Sequence, residues 1–121
     1  MQFQVECFEN VEAFSRLWTA AEGAAEARER FHDAPLRRVM NLNVEAKSAE
    51  DAADAVWEIG NAPWDPTDAE GVAWDHRSVR SMSSGDVVVV HTPDGPVAYG
   101  CLFAGWLRLE TLPLNIVAAL A

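Results

Sequence analysis

The stretch Val87-Val88-Val89-Val90-His91-Thr92-Pro93-Asp94-Gly95-Pro96-Val97-Ala98-Tyr99-Gly100-Cys101-Leu102-Phe103 decides the fold. Four consecutive valines suit a central strand, Val87 to His91. Thr92 to Pro96 is turn chemistry. From Val97 to Trp106 a returning strand follows, with Val97, Tyr99, Cys101 and Phe103 on one face. Together they predict an antiparallel hairpin.

Upstream, Gln2 to Phe8 alternates, placing Phe3, Val5 and Cys7 opposite Gln2, Gln4 and Glu6, as in a half-buried strand. Asn10 is placed to cap a helix carrying Phe14, Leu17, Trp18 and Ala21 at helical spacing, and Phe31 to Pro35 is a break. A second strand, Leu36 to Val44, alternates Met40, Leu42 and Val44 with Asn41 and Asn43. Ser48 caps the next helix, with Asp51 in the capping-box position and Ala49, Ala52, Ala53, Val56 and Ile59 as its inner stripe. Gly60-Asn61 ends it. Residues 61–71 read as a loop and Val72 to Trp74 as a short edge strand. Downstream of the hairpin, Leu107 to Leu109 is a final strand and Pro113 to Leu120 a closing helix. The expected class is α+β: an antiparallel or mixed sheet of about four to six strands, with two main helices packed on one face.

At 121 residues the chain suits a single domain, 1–121, and half of its residues are apolar, enough for a sizeable core. No apolar run reaches the roughly 18 residues of a membrane span. The opening MQFQVECFENVEAF lacks the basic start and apolar core of a signal peptide, so a cytoplasmic protein is expected. Cys7 and Cys101, with no CxxC and no Cys/His cluster, read as buried reduced thiols, and neither a metal nor a cofactor is expected.

Charge excludes more than it assigns. Nineteen acids against nine bases give a net charge of −10. Residues 45–70 hold eight acids and one base, Lys47. Such a surface repels a nucleic-acid backbone, whose binding rests on Lys and Arg. Glu50, Asp54 and Glu58 recur at i, i+4, i+8, lining one helix face with about 6 Å of rise between neighbours. Asp65, Asp68 and Glu70 surround Trp64 in the next loop, and a tryptophan ringed by acids suits a contact with a basic protein. The competing explanation is salt adaptation, since eight Arg against one Lys with many acids also fits a salt-loving source.

Signals for catalysis are thin. His32-Asp33 and Asp75-His76-Arg77 place histidine beside acid, but adjacent residues in a strand face opposite ways. His32, His76 and His91 form no metal-binding spacing. Ser81, Ser83 and Ser84 lack the setting of a nucleophile elbow, and no phosphate-cradling glycine motif is present.

Arg80-Ser81-Met82-Ser83-Ser84-Gly85-Asp86-Val87-Val88-Val89, then Tyr99-Gly100-Cys101 and Gly105-Trp106, resembles a group of small proteins from phages, plasmids and other mobile elements of actinobacteria and haloarchaea. Trp57-Glu58-Ile59-Gly60-Asn61 is similar to that group as well. The resemblance spans roughly residues 55–107 and departs from the group in a longer turn, His91 to Pro96, where a tight Asp-Gly turn is usual. It implies a mobile-element accessory protein, regulatory or directed against host defence, and assigns no catalytic residue. The combined expectation is a non-enzymatic acidic protein that docks a basic, nucleic-acid-handling host protein through Glu50, Asp54, Glu58, Trp64, Asp65, Asp68 and Glu70. The alternatives are a nucleic-acid-binding or regulatory domain using Arg77 and Arg80, a hydrolase using His76 with Asp75, and a halophilic accessory protein whose acidity is salt adaptation alone.

Overall fold

All four valines of the run are fully buried. Successive strand residues point to opposite faces, so both sides of this strand have to be covered. The computed structural model, which describes residues 1–12, 24–61, 74, 79–102 and 105–121, shows how. Its elements are β1 (Gln2–Asn10), α1 (Ala24–His32), β2 (Leu36–Glu45), α2 (Ala49–Asn61), β3 (Val87–Thr92), β4 (Gly95–Leu102), β5 (Gly105–Leu109) and α3 (Leu114–Leu120). The strands form one antiparallel sheet in the order β2-β1-β3-β4-β5. The protein is therefore α+β.

On one face Val88 and Val90 join Phe3, Val5, Cys7, Val44 and Tyr99 under Ala52, Ala53 and Val56 of α2, with Trp74 and Met82 filling in. On the other, Val87 and Val89 join Phe8, Leu107 and Leu109 under Ala27 and Phe31 of α1 and Ile116 of α3. Two helices do share a face, but they are α1 and α3. The helix that begins after Ser48 covers the opposite side, because an all-valine strand leaves neither face free for solvent.

Local chemistry explains the element ends. The Ser48 hydroxyl accepts the Asp51 N–H at 3.2 Å, as an N-cap does. Asn10 Oδ1 accepts the Glu12 N–H at 2.8 Å, as a cap would, although residues 13–23 of the expected helix lie outside the described residues. α2 reaches Asn61, the end expected from Gly60-Asn61. Gly60 also lets the helix approach Trp74 and Met82: a Cβ there would meet Met82 Cγ at 2.9 Å. Trp74, expected on an edge strand, lies in a turn with its indole sunk in the core and its Nε1–H donating to the Arg80 carbonyl at 3.3 Å.

Three features depart from the expected strand pattern. A bulge between Cys7 and Phe8 pairs Cys7 with Met40 but Phe8 with Arg38, leaving Val39 as the extra residue. That shift sends Leu36 and Arg38 to the face opposite Met40. The turn after β3 is short, with Thr92 paired to Gly95, so Pro93-Asp94 alone spans it. Gly95, at φ +119°, supplies the positive φ that the Pro93 ring forbids and that Asp94 does not adopt. Third, the returning strand ends at Leu102, and Gly105, at φ +102°, opens β5, so what read as one strand to Trp106 is a second hairpin.

Gly100 marks the tightest packing on the α1 face. A Cβ at this position would come within 2.5 Å of the Phe31 ring, which cannot swing aside in a packed core. Gly100→Ala is expected to cost about 1–3 kcal/mol, the usual range for overpacking, read as a lower urea midpoint with an unchanged slope.

Candidate functional site

The helix α2 divides sharply by face. Ala52, Ala53, Val56 and Gly60 are buried, whereas Glu50, Asp51, Asp54 and Glu58 are exposed. Glu50 and Asp51 lie in the first turn, where the helix dipole favours carboxylates, but the last turn has no basic residue to balance Glu58. Among the described residues none of Glu50, Asp51, Asp54 and Glu58 is in an ion pair. The acids of β1, by contrast, are matched. Glu6 holds Arg38 at 2.9 Å and lies 2.7 Å from His91 Nε2, and Glu9 holds Arg37 at 2.6 Å and Arg80 at 2.8 Å. Negative charge is therefore left uncompensated along α2.

One of these acids is tied to the sheet. Asp54 Oδ1 accepts the Trp106 Nε1–H at 2.8 Å. The Trp106 indole stands at 89° to that of Trp57, one helical turn on from Asp54, with ring centroids 6.3 Å apart. Both rings are only partly buried. Both border a recess of about 190 Å³, together with Asp54, Cys101, Leu102 and Gly105. Above β4, burial pushes the Tyr99 hydroxyl above its ordinary range; Arg108 pulls it down and Glu50 adds to the rise.

Two of the remaining candidates, Arg80 and His91, are engaged in structural pairs. Arg80 makes a two-pronged contact with buried Asp86, at 2.7 and 2.8 Å, and Asp86 also accepts the Asn10 and Ser83 backbone N–H groups at 2.9 and 2.8 Å. The Asp86 carbonyl accepts the Cys101 N–H, and Gly85, at φ +95°, donates to the Cys101 carbonyl, both at 2.8 Å. Burial alone would lower the Arg80 pKa, but Asp86 and Glu9 hold it up. Arg80, Ser83, Gly85, Asp86 and Cys101 thus form a clasp that ties the loop before β3 to β1 and β4. His91 is committed to Glu6. Among the described residues no three His, Cys, Asp or Glu side chains gather to hold a metal, and no helix is long and apolar enough to cross a membrane.

Of the residues expected to form the docking surface, Glu50, Asp54 and Glu58 do share one exposed face, whereas Trp64, Asp65, Asp68 and Glu70 lie outside the described residues, as do Asp75, His76 and Arg77. Trp57 and Trp106 were not foreseen as part of the surface. The i, i+3 spacing of Asp54 and Trp57 was readable, but the meeting with a residue 52 positions away was not. No family model, no curated protein and no solved structure matches the chain.

Cys7 and Cys101 are free thiols. They sit on β1 and β4 with β3 between them, two strand spacings or about 10 Å apart, beyond disulfide reach. Burial, reinforced by Asp86, pushes both thiols up to about 12. An unfolded cysteine ionises near 9, so this contribution to stability is complete below that pH and is lost as pH rises towards 12. The urea midpoint is expected to fall from about pH 9 upward, with a shallower slope in Cys7→Ala. Asp86→Ala, which leaves the Asn10 and Ser83 N–H groups without their acceptor and takes one carboxylate from Arg80 while Glu9 remains, is expected to cost about 3 kcal/mol, the low end for a broken buried pair; chemical denaturation measures it.

Proposed function

We propose that the outer face of α2 docks a basic protein surface and that the protein acts by binding rather than by catalysis. The supporting observation is the exposed row Glu50, Asp54 and Glu58 on α2, which has no ion-pair partner among the described residues, whereas Glu6 and Glu9 of β1 are paired. Like charges one turn apart destabilise a helix slightly, and a cationic partner relieves that repulsion. A free nucleic-acid backbone fits this face poorly, for the same electrostatic reason. The resemblance to mobile-element proteins supplies the context: an accessory protein directed at a basic, nucleic-acid-handling host protein, with Trp64, Asp65, Asp68 and Glu70 extending the surface.

The test is affinity capture of a basic partner from host lysate, followed by binding measurements with Glu50→Lys/Glu58→Lys. We expect the double variant to weaken binding about tenfold or more, and wild-type binding to weaken as salt rises through the range where screening acts, up to about 0.5 M. Unchanged affinity would remove α2 as the contact. Melting curves carried into molar KCl separate the salt-adaptation reading, in which stability keeps rising after screening is complete.

A further inference from the structure

We propose that the recess bordered by Trp57 and Trp106 is the socket for an arginine side chain of the basic partner, its guanidinium lying against an exposed indole face and hydrogen-bonding to Asp54. This rests on the docking role of α2 and names the group that the surface takes. The two indoles stand perpendicular with centroids 6.3 Å apart, so they present two walls. The space they bound, about 190 Å³, suits the end of one side chain and is small for a cofactor. Among the described residues its lining contains one charged side chain, Asp54, and no cation.

The chemistry of the walls selects the occupant. Indole faces are the strongest aromatic partners for a cation, and a planar guanidinium can stack while keeping its edge N–H groups free for an acceptor. Trp106 takes Asp54 Oδ1 through its Nε1–H, which fixes the carboxylate and leaves Oδ2 as the acceptor. Cys101 and Leu102 add an apolar floor, and the Cys101 thiol is neutral near pH 7. Glu50 and Glu58 on the same helix face set the sign of the approaching surface. An anionic or neutral side chain would meet the Asp54 carboxylate with nothing to offset it.

The experiment follows the indole N–H resonances of the full chain while capped arginine (acetyl-arginine-amide) or the neutral isostere acetyl-citrulline-amide is added. We expect Trp57 and Trp106 to shift saturably in the millimolar range with arginine and not with citrulline, Asp54→Asn to weaken the effect about tenfold, and Trp57→Ala to abolish it. Equal shifts with citrulline, absence of saturation, or undiminished binding by a folded Asp54→Asn protein would each overturn the socket. With the captured partner, Trp57→Ala is expected to lower affinity about tenfold while Glu50 and Glu58 remain. If Glu50→Lys/Glu58→Lys releases the partner and Trp57→Ala does not, the acidic face stands and the socket falls. If the charge reversal has no effect, the docking role of α2 falls by itself.

Discussion

The Arg80–Asp86 ion pair decides where the central strand begins. Four identical residues in a row make β3 ambiguous in register: a slip by one position exchanges Val87 and Val89 for Val88 and Val90 and still buries valine on both faces. Asp86 removes that freedom. Its carboxylate receives two guanidinium N–H groups and two backbone N–H groups, which fills the four acceptor positions a carboxylate offers. A slipped strand would move this carboxylate into the core unpaired, at a cost of several kcal/mol. The end of β1, the loop before β3, the start of β3 and β4 all meet at this point. A buried ion pair seldom adds much stability over an apolar replacement. Its contribution here is the choice of one alignment among near-equals.

Much of the fold was legible because it depends on period and punctuation. Phe3, Val5 and Cys7 share a face as their alternation predicts, Ser48 caps its helix, and the valine run is the middle strand. Long-range geometry was less readable. The bulge at Val39 carries no glycine or proline signal, yet it decides that Arg38 reaches Glu6. Gly105 resembles any other strand glycine until its positive φ shows a turn. The acidic row could be read from spacing within one helix, but its aromatic neighbour arrives from β5, and nothing local to either segment announces the other.

Charge is handled in two different ways across the molecule. On β1 the acids Glu6 and Glu9 are drawn into pairs with Arg37, Arg38, Arg80 and His91, so charge serves the packing of strands and loop. On α2 the carboxylates face solvent while small alanines hold the helix to the sheet. Close apolar packing makes that helix stable enough to tolerate its own repulsion, a division of labour that leaves its outer face free to be shaped by what it meets.

The N-terminal strand lies inside the sheet, not at its edge, flanked by β2 and by a strand roughly eighty residues further along the chain. β1 therefore waits for the long stretch of chain up to β3 to be made before its second neighbour exists. Until then the nascent β1–β2 ladder exposes an apolar side and an open row of amide groups, which invites association with other chains. Closing so wide a loop comes late and raises the mean sequence separation of native contacts, so folding should be slower than local pairing alone would allow. Loss of the last third of the chain would leave β1 with β2 as its one strand neighbour.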